Sequence, residues 1–449
     1  MSLLWIALLG IIALLVLVIV FRMQAFVALL LVSLGVGLAA GMPPNAVIQS
    51  MQNGMGSTLG FIAVVVGLGS MLGAMLEETG GAQQLARTLV RKLGQDRASW
   101  AMAITGFLVS IPVFFDVGFI ILVPLVYSLA RATKRSTLYY AIPLLAGLAV
   151  THAFVPPTPG PVAVAEVLKA DLGKVILYGL LAGIPTAIVA GPIFGRYIAN
   201  RIHVPVPEWV EAGKDEVPDE KLPSFGLVVS LILLPIALIV AGSFANLAAK
   251  PFTAQNLPVP VFYQALGFLG HPFTALIIAT LLAFYSLGRR QGLTLDAIQK
   301  IASKSLGPAG LIILVTGAGG VFKQVLVDSK IGEAMAQSLG NLGLSPVLLA
   351  FLIASVVRIA QGSATVAMMT AAGFMAPILE GFPNVDPAWV TIAIASGATI
   401  CSHVNDSGFW LVKQYLGMDE KTTFKTWTVM ETIIALVGVT CVLILSLFI

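Results

Sequence analysis

From Leu3 to Phe21 no residue is charged, and runs of that kind recur along the whole chain. Each approaches the ~20 apolar residues that an α-helix needs to cross the hydrocarbon layer of a bilayer. The others in the first half are Ala25–Gly41, Thr58–Leu76, Leu138–Leu168 and Val175–Ala199. The second half has Phe225–Phe244, Pro272–Leu287, Ala309–Val327, Pro387–Leu416 and Trp427–Ile449. Two longer stretches, Trp100–Ala130 and Pro346–Leu379, are interrupted near their middles and predict re-entrant helical hairpins. Hydrophobic residues make up 58% of the 449 and charged residues 10%, against ~25% charged in a soluble domain. Lipid must be the solvent for that surface, so the class is an all-α polytopic membrane protein. Leu3–Phe21 has no basic segment before it, unlike a cleaved signal peptide, and is expected to be retained as a span.

The same order of segments occurs twice. Leu76–Leu89 aligns with Leu326–Leu339 at an offset of 250, and Gly67 and Gly69 fall on Gly317 and Gly319. Ser110 to Asp116 matches Ser355 to Gln361, and Thr158 to Leu168 matches Asp406 to Leu416. Two repeats are therefore expected, residues 1–200 and 224–449. Each has about five spans, a re-entrant hairpin and one broken helix, and a polar linker at 201–223 joins them. Five spans is an odd number, so the second repeat begins on the opposite side of the membrane. Charge supports this: with Arg22 inside, the inner loops hold 19 of the 25 Lys and Arg and the outer loops four, Lys169, Lys174, Lys250 and Lys330. Cytoplasmic loops are the ones rich in Lys and Arg, which places both termini outside and the linker inside. Paired units of opposite orientation are the architecture of alternating-access transporters, with the binding site where broken helices meet.

An ionisable group at membrane depth costs at least ~2.5–3.5 kcal/mol, so it should face protein or a water-filled cavity. Asp116 lies in the Pro112–Asp116 interruption of the first hairpin, and Arg358 just before Gln361–Thr365 in the second. His403 and Asp406 lie in Ser402–Gly408, a polar interruption of an apolar run. Its counterpart, His152–Pro161, has four prolines within six residues and cannot continue a helix. A break leaves free N–H groups at the start of the next half-helix, a ready site for a carboxylate. Gly362, Ser363 and Thr365 suit that role, and Arg358 would add forked donors matched to a carboxylate. Thr158, Gly160, Asn405, Ser407 and Gly408 complete the expected substrate set. Arg358 can equally pair with Asp116 or Asp406 and hold the repeats together. Asp116 and Asp406 read as proton relays or as structural partners. His403 reads as a proton carrier or as a hydrogen-bonded helix end. Lys323, a turn from its helix end, can snorkel to the interface, and the two glycine pairs are expected at close helix packing.

At these same residues the chain resembles the gluconate permease family, bacterial inner-membrane proton symporters. The motifs are Val155–Pro161 (VPPTPGP), Gly362–Ala367 (GSATVA), Ser402–Trp410 (SHVNDSGFW) and Gly319–Ser329, and the likeness runs essentially end to end. It implies uptake of gluconate or a related sugar-acid anion with a proton, in the inner membrane. It also implies the ion-transporter superfamily fold, in which a scaffold commonly mediates a homodimer. Many members have histidine where this chain has Thr158, so no proton role is carried over to that position. The alternative within transport is a symporter for D-serine or another small hydroxy or amino acid. Sodium coupling and a passive channel are the other transport rivals. No H-E-x-x-H or G-x-S-x-G pattern supports a membrane hydrolase, no basic run interleaved with aromatics suggests nucleic acid, and no metal or cofactor is called for.

Overall fold

The structure, a computed structural model, describes residues 3–208, 222–331, 334 and 345–448. Among the described residues there is no strand, and eight helices are long and apolar enough to cross a membrane. Lipid offers the backbone no hydrogen bonds, so an apolar run in a bilayer must bond internally, as a helix does.

The first half holds α1 (Leu3–Ile19), α2 (Ala25–Ala39), α3 (Pro44–Glu78) and α4 (Gly81–Leu93), then α5 (Ala98–Val109) and α6 (Phe115–Thr133). It closes with α7 (Leu138–Phe154), α8 (Pro159–Leu168) and α9 (Leu172–Ala199). The second half holds α10 (Phe225–Ala254), α11 (Val261–Leu269), α12 (Pro272–Gln291) and α13 (Leu295–Asp328). After these come α14 (Pro346–Gln361), α15 (Ala364–Leu379), α16 (Pro387–Gly397), α17 (Ser407–Tyr415) and α18 (Glu420–Leu445). Starts and stops follow from local chemistry. Proline opens α3, α8, α12, α14 and α16, where its missing N–H would be unused anyway. Side chains of Asp171, Thr294, Ser363, Asp386 and Asp406 cap α9, α13, α15, α16 and α17.

Both interrupted stretches and both broken helices are present; α14 packs on α15 as a hairpin, whereas α6 is by itself long and apolar enough to cross a membrane. The break in the first hairpin covers residues 110–114, slightly earlier than expected, so Asp116 sits in the first turn of α6. The long helices depart more from expectation. α3 begins at Pro44, taking in polar sequence that reads as an outer loop, and α13 begins at Leu295 rather than Ala309. Helices α4 and α11 are additional. The second copy of the aligned segment lies outside the described residues beyond Ile331 except for Ala334, as do residues 209–221 of the linker.

Helices α3 and α13 lie side by side and run antiparallel. Ser50 bonds Asp328 near one end, Gly54 meets Gly320 slightly further in, and Glu78 lies 3.9 Å from Lys304 at the other end. A Cβ on Gly54 would stand 2.5 Å from the Gly320 carbonyl oxygen. This glycine pair, rather than Gly67 and Gly69, makes the closest approach: the latter two have only ordinary contacts, while Gly317 and Gly319 pack tightly on Met55 and Met369. Contacts recur in matched pairs when the halves are taken in the same order. α2 packs on α13 and α12 on α3; α5 on α7 and α14 on α16. α8 packs on α15 and α17 on α6; α9 on α16 and α18 on α7. Lys323 Nζ donates to the Val167 carbonyl at 2.5 Å, capping the end of α8.

Candidate functional site

Gly362 ends α14 by adopting φ +83°, a conformation that costs a residue with a Cβ roughly 1–2 kcal/mol. A Cβ there would also lie 2.2 Å from the Asn405 carbonyl oxygen. The tip of the second hairpin therefore touches the break between α16 and α17. Carbonyls in the last turn of a helix lack intrahelical partners, and the break supplies them. Asn405 Nδ2 and His403 Nε2 both donate to the Ile359 carbonyl at 3.0 Å. His403 is thus a helix-end partner here.

Asp406 organises the break. Its Oδ1 accepts the Gly408 N–H at 3.0 Å, capping α17, while Oδ2 accepts the Ser402 hydroxyl and Arg358 Nη2, the latter at 2.5 Å. Trp427 Nε1 donates to Ser402 Oγ at 2.7 Å, and the Thr428 hydroxyl donates to the Ser402 carbonyl. Both residues belong to a wide turn, Phe424–Thr428, that interrupts the regular winding of α18, the kind of local widening often found at functional sites. Arg358 is 4% exposed, and its Nε and Nη1 are buried without a hydrogen-bond partner. Glu431, one turn beyond Trp427 and Thr428, is 3% exposed, and its Oε1 likewise has none. Ser363 caps α15; Ser363 and Thr365 are partly buried beside this cluster, and Ser407 is exposed.

Thr158, Gly160 and Asp116 belong to a second group, around the first hairpin tip. The Thr158 hydroxyl donates to the Val155 carbonyl at 2.7 Å, and the residue lines a small cavity with Ser70, Pro112 and Phe114. A neighbouring cavity of about 170 Å³ shares Ser70, Pro112 and Phe114 and reaches Glu77, Glu78 and Lys304. Asp116 is exposed, and His152 and Glu77 feel its charge. Buried His152 Nδ1 has no hydrogen-bond partner, and its ring stands edge-on to Phe114. The groups meet at two points. Phe115 packs against Trp427 with ring centroids 5.3 Å apart, and Gly160 closes on Met368 of α15, where a Cβ would lie 2.7 Å from the sulfur. The structure therefore joins Arg358, Gly362, His403, Asn405, Asp406 and Gly408 directly, and holds Asp116 and Thr158 apart from them. Sequence reasoning overlooks Glu431, although an acid within the apolar run from Trp427 carries the same signal as Asp406. Among the described residues no group of three His, Cys, Asp or Glu is arranged to hold a metal ion. What the cluster offers is a fixed guanidinium with two free donors, flanked by hydroxyls, an amide and helix N-termini. Groups of that kind can hydrogen-bond a hydroxylated anion.

A model of the GntP family permeases matches residues 1–448. The chain belongs to the GntP permease family. This permease is 44% identical over 442 residues to a gluconate permease of Pseudomonas aeruginosa, covering 98% of this chain and 97% of that protein. It is 43% identical to a low-affinity gluconate transporter of Escherichia coli, covering 96% and 95%. An L-idonate transporter of the Gnt-II system of the same species is 41% identical, covering 97% of each. Among solved structures, the YdaH transporter of Alcanivorax borkumensis superposes with a TM-score of 0.66 at 16% identity, covering 94% and 96%. Neisseria gonorrhoeae MtrF gives 0.63, also at 16% identity, covering 89% and 84%. At that identity the likeness concerns the fold. This permease is a multi-pass membrane transporter and not an enzyme.

Proposed function

We propose that this permease imports gluconate or a closely related sugar-acid monoanion, together with a proton, across the bacterial inner membrane. The single observation that carries the anion site is Arg358, buried where two helix breaks touch, with two guanidinium nitrogens unpaired. An arginine fork matches a carboxylate in geometry and charge. Asn405, Ser407, Ser363 and Thr365 would serve the substrate hydroxyls, and relatives at 41–44% identity are named for gluconate and L-idonate.

The two halves act as inverted units, with termini outside and the linker inside. Support comes from the antiparallel contact of α3 with α13, the matched pairs of helix contacts, and the concentration of Lys and Arg in one set of loops. In an inverted pair, tilting one bundle against the other exposes the shared site to each side in turn. The cavity reaching Glu77, Glu78 and Lys304 would be the inward exit.

The test is uptake and counterflow in proteoliposomes with labelled gluconate, competed by unlabelled gluconate, L-idonate and D-serine. Sugar acids should compete and D-serine should not. An imposed inward proton gradient without sodium should drive accumulation, and Arg358→Gln should abolish it. Competition by D-serine alone, or gluconate uptake by Arg358→Gln at the unmodified rate, would refute the reading.

A further inference from the structure

Glu431 has no place in the reading so far, and its surroundings are unusual. It follows Trp427 and Thr428 on α18 by four and three residues, which puts it on the face that bonds Ser402. Its side chain is 3% exposed and Oε1 lacks a partner, as do Nε and Nη1 of Arg358. The charges acting on Glu431 are those of Arg358 and Asp406. Of the other elements packed on α18, α16 has no ionisable residue, α14 has only Arg358, and α17 has Tyr415 and Lys413, the latter paired with Glu420 at the start of α18 at 3.2 Å. On α7, Tyr139 and Tyr140 lie in the first turn, and His152 has Asp116 as its charged neighbour. On α9, Lys174, Tyr178, Arg196 and Tyr197 lie toward the two ends, and α6 brings Asp116 beside the Phe115 contact.

We propose that Glu431 carries the coupled proton and, when ionised, competes with the substrate carboxylate for the unpaired Nε–Nη1 edge of Arg358. This rests on the proton-coupled uptake proposed above. Asp406 is the fixed counter-charge, because the Arg358, Ser402 and Gly408 donors occupy both its oxygens. Arg358 and Asp406 together are neutral, so a bound monoanion leaves the site with one net negative charge, and an ionised Glu431 beside it would leave two; the second uncompensated buried charge is the costlier, so the two negative groups exclude each other. Substrate enters when Glu431 has taken a proton from the outer solution onto its carboxyl. On the inner side that proton leaves, the Glu431 carboxylate turns to the guanidinium edge, and the anion is displaced. One proton then accompanies each monoanion.

The experiment compares the unmodified protein with Glu431→Gln in proteoliposomes, using labelled gluconate. Glu431→Gln should still exchange gluconate in counterflow but lose accumulation driven by a proton gradient. Gluconate binding to the unmodified protein should weaken by about 5–150-fold on raising pH, the range of typical coupling between two sites, and that dependence should vanish in Glu431→Gln. Gradient-driven accumulation by Glu431→Gln, a retained pH dependence of its binding, or folded protein without counterflow would each overturn the assignment. If the unmodified protein shows no gradient-driven uptake, proton coupling itself fails, which is a separate result. Should Glu431→Gln not fold, Glu431→Asp replaces it: the shorter carboxyl must move the midpoint of pH-dependent gluconate binding, and an unmoved midpoint would count against Glu431.

Discussion

Arg358 and Asp406 are 48 positions apart and form an ion pair with little access to solvent. Removing one member strands the other, which typically costs about 3–5 kcal/mol, whereas removing both costs less than the sum. Arg358→Gln and Asp406→Asn should therefore each lower thermal stability in detergent substantially, and the double variant should recover part of the loss. Additive losses would mean that the two do not act as a pair. Both residues are legible in the sequence because a charge inside an apolar run has few explanations. Their pairing is not legible, since Asp116 is an equally good partner on paper. Glu431 carries the same signal but stands only four residues inside the run from Trp427, where a carboxylate reads as interfacial. The helix in fact starts at Glu420, which puts Glu431 eleven residues in, about 16 Å along the axis.

The hairpins and broken helices depend on backbones that approach closely. A Cβ on Gly147 of α7 would lie 2.3 Å from the Ala103 carbonyl oxygen of α5. One on Gly397 of α16 would lie 2.3 Å from the Phe351 carbonyl oxygen of α14. Backbone cannot yield as a flexible side chain can, so Gly147→Ala and Gly397→Ala should each destabilise by about 1–3 kcal/mol. Gly60→Ala, with nothing within 4 Å of its Cβ, should be neutral or stabilise by about 0.5–1 kcal/mol. Melting temperatures of the three purified variants check this, and equal values for all three would contradict it. The breaks themselves are readable from proline clusters and polar interruptions. The early start of α3 is not, because Asn45, Gln49, Gln52 and Asn53 lower the hydropathy of a segment that is nonetheless helical. Its buried positions, Val47, Ser50, Gly54 and Thr58, recur at helical spacing; Val47 meets Gly37 of α2 and the other three meet Asp328 and Gly320 of α13. Average polarity hides a period that a partner helix uses.

The proposed opposite orientation of the halves has a direct consequence at corresponding loops. Lys134 follows the first hairpin and Glu380 the second, and both are exposed. In a background with Cys401 and Cys441 replaced, Lys134→Cys should react with an impermeant thiol reagent only from the cytoplasmic side, and Glu380→Cys only from the outside. Labelling of both from one side would mean that the halves are inserted with the same polarity. The bias of Lys and Arg and the five spans expected from the sequence of each half argue for inversion, because loop charge during insertion is a property of sequence near each span.

Local chemistry along the chain was enough to set its class, its interruptions, and Arg358 and Asp406 as charges held beside one of them, but not the start of the long helices, the exposure of Asp116 or the burial of Glu431. What it set follows from hydropathy, proline geometry and the cost of burying charge, all of which act within a few residues. Which buried charges meet is different. The choice of Asp406 over Asp116 for Arg358, the contact of Gly362 with Asn405, and the arrival of Glu431 beside them depend on how helices far apart in sequence pack. Packing is decided by shape matched across the whole bundle, and no local pattern encodes it.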